Sequence, residues 1–191
     1  MRAEVIAIGT SLGGLNALLA VLGGLPAGLR APVLVVQHRG AGADASLVTL
    51  LRGRTKLSVV EAEDKTLMAA GTVYIAPADY HLLVEGRGAL ALSTDAPVRS
   101  ARPSIDVLFE TAAEAYGAAL LAVLLTGASA DGAVGLAQVK TRGGRAIVQD
   151  PVTAECAIMP LAGLAATAVD YVLPLDAIGA HLVSLVEGTR A

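Results

Sequence analysis

The sequence predicts an α/β fold: a doubly wound, mostly parallel, Rossmann-like sheet with one antiparallel hairpin. Three observations predict it. Short apolar runs alternate with stretches of helical spacing along nearly the whole chain, the pattern of repeated strand–helix units. The apolar runs are continuous, as expected of strands covered on both faces. The apolar content is aliphatic, since 54% of residues are hydrophobic but only 3% aromatic, with no Trp and one Phe.

The elements follow in order. Residues 4–8 form an apolar run ending at Gly9, and residues 15–21 have helical spacing closed by Gly23-Gly24. Pro32 opens a second strand over 33–36, a helix covers 47–52, and strands follow over 57–60 and 72–76. Residues 81–85 and 89–93 flank Gly86-Arg87-Gly88 and read as a hairpin. Ser104 is a good N-cap for a helix over 105–116, where Ile105, Leu108, Phe109 and Ala112 recur at spacings of three and four. The most apolar strand covers 120–125, followed by a glycine-rich turn and a helix from about Asp131 to Thr141. Strands over 146–148 and 171–173 and a helix over 176–187 close the chain.

Length and charge bound the rest. The 191 residues suit one domain spanning 1–191, large enough to bury roughly 70% of the unfolded chain's surface. Mean hydropathy is +0.65, yet the longest apolar stretches, 118–125 and 157–169, fall short of the ~20 residues a spanning helix needs. With no signal-peptide pattern at the start, the chain reads as cytoplasmic, without membrane insertion. Net charge is −3, with no basic run, which argues against a nucleic-acid partner. Cys156 is the only cysteine, so no internal disulfide forms; a small core residue is its expected role. One Cys and three dispersed His show no metal-ligand spacing.

In open parallel sheets, ligands bind beyond the carboxyl ends of the strands. After the first strand comes Gly9-Thr10-Ser11-Leu12-Gly13-Gly14, after the second Gln37-His38-Arg39, and after the most apolar one Thr126-Gly127-Ala128-Ser129-Ala130-Asp131-Gly132. Ser11, His38 and Asp131 thus emerge at one edge. A serine, its general base and a carboxylate that orients the base divide the labour of acyl transfer, and geometry rather than chain order defines them. Gly9-Thr10-Ser11-Leu12-Gly13 also satisfies G-x-S-x-G, a sharp strand-to-helix turn exposing the serine. A helix starting near Leu12 would aim free N–H groups at a developing oxyanion, so Thr10, Leu12, Gly13 and Ala128 are the substrate-near candidates. Such chemistry needs no cofactor. The bland readings are that the glycines serve close packing or a dinucleotide phosphate, and that Asp131 merely caps its own helix; the carboxylate a Rossmann site expects after the second strand is replaced here by Gln37-His38-Arg39. His81 in the hairpin and His181 on the last helix read as structural, and Asp106 as a first-turn carboxylate favouring the dipole.

At these loops the chain resembles the protein-glutamate methylesterase (CheB) family of bacterial chemotaxis. The markers are Ile8-Gly9-Thr10-Ser11-Leu12-Gly13-Gly14, Val36-Gln37-His38, Tyr74-Ile75-Ala76-Pro77 with His81-Leu82, Arg102-Pro103-Ser104-Ile105-Asp106, Leu125-Thr126-Gly127 with Asp131-Gly132-Ala133, and Gln149-Asp150 with Met159-Pro160. The resemblance implies a parallel α/β catalytic domain with Ser11, His38 and Asp131 as its triad. It also implies hydrolysis of glutamate methyl esters, and deamidation of glutamines, on methyl-accepting chemoreceptors as protein substrate. Two departures stand out. Ala128 occupies the place of the family's usual Met, which would reshape the groove near the serine. No receiver domain precedes Met1, so the expectation is a stand-alone catalytic domain or a piece of a longer chain. The competing expectations are an esterase or deamidase acting on another protein or a small ester, and a non-enzymatic nucleotide- or partner-binding module.

Overall fold

The computed structural model describes residues 2–39 and 46–188. The strands are β1 (Val5–Thr10), β2 (Val33–Gln37), β3 (Ser58–Glu61), β4 (Thr72–Ile75), β5 (His81–Glu85), β6 (Ala89–Ser93), β7 (Leu120–Leu124), β8 (Arg145–Gln149) and β9 (Tyr171–Leu173). The helices are α1 (Gly14–Gly23), α2 (Ser46–Arg52), α3 (Ile105–Tyr116), α4 (Ala133–Thr141), α5 (Ile158–Ala166) and α6 (Leu175–Glu187). Seven strands form one parallel sheet in the order β3-β4-β2-β1-β7-β8-β9, and β5 and β6 pair antiparallel beside it. The doubly wound class and the hairpin are as the sequence predicts.

Every residue of β1 and β7 is buried, because successive strand side chains feed opposite faces of a sheet covered on both. Ile6 and Ile8 pack with Leu18, Leu22, Leu182 and neighbours from α1 and α6 on one face. Val5 and Ala7 pack with Phe109, Leu136 and Met159 from α3, α4 and α5 on the other. The hairpin also lies on that second face, through Leu82 and Leu90. None of the described helices is long and apolar enough to cross a membrane.

The chain leaves β1 in one direction to build β2, β4 and β3, and later in the other to build β7, β8 and β9. The reversal falls between β1 and β7, whose loops open at the same carboxyl edge. A crevice forms at such a reversal because the two connecting loops diverge to opposite faces.

The structure corrects several local expectations. Helix α1 starts at Gly14 rather than near Leu12, because Gly13 sits at φ +79° and completes the turn first. Helix α4 starts at Ala133, with Asp131 and Gly132 still in the turn. Helix α5 is not predicted by the sequence reading. Its composition is so uniformly apolar that it carries little 3.6-residue contrast, which is the signal such a reading relies on. Cys156 is half-exposed on a loop rather than a core residue.

Candidate active site

The loops after β1, β2 and β7 are tied together by backbone bonds that continue the sheet. Ser11 N–H donates to the Thr126 carbonyl at 3.0 Å and His38 N–H to the Thr10 carbonyl at 3.0 Å. Ser11 and His38 line one open cleft of about 640 Å³, with Leu12, Leu15, Leu50 and Glu155 among its other walls. Leu12 is 55% exposed and Leu50 52%, so the cleft presents an apolar surface next to the hydroxyl.

Asp131 is fully buried. His38 Nε2 lies 2.7 Å from Asp131 Oδ2, which also accepts the Ile105 N–H at 2.7 Å. Oδ1 accepts the Ser104 hydroxyl at 2.8 Å and the Asp106 and Gly132 N–H groups at 3.1 and 3.0 Å. Burial by itself would push this carboxyl up, but the bonds from His38, Ile105, Asp106 and Ser104 outweigh it. They hold its pKa below the ordinary carboxylate range. The expected bland role, capping its own helix, is thus replaced. Asp131 precedes α4 but closes the N-terminus of α3, where the helix dipole favours an anion.

With Nε2 engaged by Asp131, Nδ1 is the imidazole nitrogen with no partner among the described residues. Among the described residues the Ser11 hydroxyl makes no hydrogen bond. The histidine–carboxylate link is therefore formed and the serine–histidine link is not.

The four substrate-near candidates separate. Among the described residues, the amides of Leu12, Gly13 and Ala128 donate to no protein acceptor. Thr10 differs: it is fully buried and its hydroxyl donates to the Thr126 carbonyl at 2.9 Å. It braces the loop from inside instead of facing the cleft. Ala128 is exposed. Beside it, a Cβ on Gly127 would lie 2.6 Å from Met159 Cε and 2.9 Å from Ser11 Cβ. Only a glycine lets that loop pass this close to the serine.

Several residues that read from sequence only as loop or family markers brace the site. Gln37 Nε2 donates to both the Ser11 carbonyl at 2.9 Å and the His38 carbonyl at 3.0 Å, clamping the two loops. Gln149, fully buried at the end of β8, accepts the Thr126 N–H at 2.9 Å and donates to the Thr153 carbonyl at 2.9 Å. Thr126 Oγ1 donates to the Leu12 carbonyl and accepts the Cys156 N–H, both at 2.9 Å. A signal did exist: a polar residue ending an apolar strand, at the edge where ligands bind. Gln149, read from sequence only as a family marker, carries that signal at the end of β8.

Other polar side chains are held by contacts of their own, and of them Arg39 also lines the cleft. His181 packs edge-on against Tyr171, with ring centroids 4.2 Å apart. Arg39 reaches back to Glu61 at 3.2 Å and to the Ala76 carbonyl. Arg102 donates to the carbonyls of Thr94 and Asp95 at 2.8 and 3.0 Å. Among the described residues, no group of three His, Cys, Asp or Glu is arranged to hold a metal.

Fold and site define the class: a doubly wound α/β domain that gathers a hydroxyl, an imidazole and a carboxylate where its strand order reverses. Within that class the chain belongs to the CheB methylesterase family, whose model matches residues 6–182. A Leptospira interrogans protein is 46% identical over 185 residues, covering 97% of this chain and 96% of its own length. The protein-glutamate methylesterase FrzG of Myxococcus xanthus is 42% identical over 183 residues, 96% of this chain but 55% of FrzG. The crystal structure of the Thermotoga maritima CheB methylesterase catalytic domain superposes with a TM-score of 0.92 at 36% identity, covering 97% of this chain and all of that one.

Proposed function

We propose that this protein is a cytoplasmic protein-glutamate methylesterase that hydrolyses glutamate γ-methyl esters on chemoreceptors and deamidates glutamines by the same acyl chemistry. Membership of the CheB methylesterase family supports the reaction class. The single observation that carries the mechanism is the 2.7 Å bond from His38 Nε2 to the buried Asp131 carboxylate, on the same cleft edge as Ser11.

The bond to Asp131 keeps the imidazole proton on Nε2, so Nδ1 carries the lone pair. Nδ1 takes the Ser11 hydroxyl proton as Oγ attacks the ester carbonyl, and the Leu12, Gly13 and Ala128 amides donate to the oxyanion. The ester C–O bond breaks, the imidazolium returns its proton to the departing methoxide, and methanol leaves. Water, deprotonated by His38, then attacks the acyl-serine; the carboxylate product forms and Ser11 regains its proton. With a glutamine side chain, ammonia leaves in place of methanol. The apolar wall of Leu12, Leu15 and Leu50 suits the non-polar face of a helical substrate that presents the ester.

The test is methanol release from a methylated chemoreceptor. Ser11→Ala should lower turnover by roughly 10⁴-fold. A Ser11→Ala protein with near-wild-type turnover would end the mechanism. If a simple methyl ester were hydrolysed as efficiently as the receptor, the protein substrate would go with it.

A further inference from the structure

His81, which reads from sequence as a histidine with a structural place in the hairpin, connects to the site through two hydrogen bonds. It opens β5 and is 1% exposed. Its Nε2 lies 3.2 Å from the Ala96 carbonyl, and its Nδ1 accepts the Ser104 N–H at 3.2 Å. A carbonyl only accepts and an amide N–H only donates, so the two bonds select the neutral ring with its proton on Nε2.

Ser104 is fully buried and stands at the N-cap position of α3, yet its hydroxyl caps nothing in α3. It donates instead to Asp131 Oδ1 at 2.8 Å. The N–H groups of the first turn, from Ile105 and Asp106, go to the same carboxylate. Of the three donors on Oδ1, the Ser104 hydroxyl is the nearest and the only side chain. A carboxylate turns about its Cβ–Cγ bond, and fixing Oδ1 fixes where Oδ2 meets His38.

We propose that Ser104, held in place by His81, is a positioning residue that sets the rotation of the Asp131 carboxylate and thereby the presentation of His38. The inference rests on the proposed Ser11–His38–Asp131 mechanism. The structural alternative is that Ser104 and His81 only stabilise the junction of hairpin and α3, in which case their loss would lower stability without acting through His38.

A double-mutant cycle separates the two, with methanol release from methylated receptor and thermal unfolding measured on each protein. Ser104→Ala should lower kcat roughly tenfold with KM changed less than about twofold, the size of one hydrogen bond to a charged group. In a His38→Ala background, where there is no imidazole left to present, Ser104→Ala should cost nothing further. His81→Gln, whose amide supplies one acceptor and one donor, should keep kcat within about threefold of wild type. Unchanged kcat in folded Ser104→Ala, or the same loss persisting without His38, would overturn the proposal. Near-wild-type turnover in His38→Ala itself would instead sink the mechanism on which it stands, so the two failures are distinct.

Discussion

Asp106 and Asp131 exchange helices. Asp131, just before α4, accepts the N–H groups of Ile105 and Asp106 at the start of α3, at 2.7 and 3.1 Å. Asp106, in the first turn of α3, accepts the Gly135 N–H near the start of α4 at 2.7 Å. Each carboxylate thus fills the positive end of the neighbouring helix, and the crossed bonds lock the two helices at the site. The pair is not symmetric. Burial, above all, and then the nearby charge of Asp131 push the Asp106 carboxyl up, against the bonds from Gly135 and Arg99. Asp131 is held down, so the charge beside His38 is the one the fold favours.

Asp131→Asn and Asp106→Asn should therefore part company. An amide at 131 presents an NH₂ where donors already converge, costing about 3 kcal/mol of stability and roughly 10³–10⁴ in kcat. At 106 an amide still accepts from Gly135 and relieves repulsion, so stability at neutral pH should stay within about 1 kcal/mol of wild type. Chemical denaturation with parallel methanol assays checks both.

The two shifts also have opposite slopes with pH. Asp131 has a lower pKa folded than unfolded, so its stabilisation is present above roughly pH 4 and is lost as pH falls through the folded value. Asp106 has a raised pKa, so its contribution is largest below roughly pH 4 and is lost as pH rises through the folded value. The melting temperature of Asp106→Asn relative to wild type should thus climb as pH rises from about 4 towards 7. A flat or falling difference would contradict the assignment.

Gly14→Ala should damage the site through Gln37. A Cβ at Gly14 would lie against Gln37 Oε1 and 2.7 Å from Thr10 Oγ1. The amide that clamps the Ser11 and His38 carbonyls must then move. The expected result is a loss of about 1–3 kcal/mol in stability and a kcat lower by at least roughly tenfold, measured by denaturation and methanol release.

Ala128→Met should behave differently, since Ala128 is exposed. Stability should stay within about 0.5 kcal/mol, while KM for methylated receptor shifts because the new side chain stands beside the loop that passes Ser11. An unchanged KM would remove Ala128 from the substrate surface.

The sequence by itself determined the sheet and the edge at which Ser11, His38 and Asp131 emerge. Both follow from local information: continuous aliphatic runs that only a doubly covered strand can bury, and the residue that follows each run. The hairpin, α3 and β9 have the limits the sequence predicts, because Gly-rich turns or a cap position mark them locally. Tertiary structure decided what each of those side chains is bound to. The His38–Asp131 bond spans 93 positions, the Ser104–Asp131 bond 27 and the His81–Ser104 bond 23. No periodicity carries such information, because a hydrogen bond between distant loops depends on how the strands beneath them are ordered. That is why Ser104 reads locally as a cap for its own helix and becomes, once β1 and β7 lie side by side, a donor to the carboxylate that precedes another.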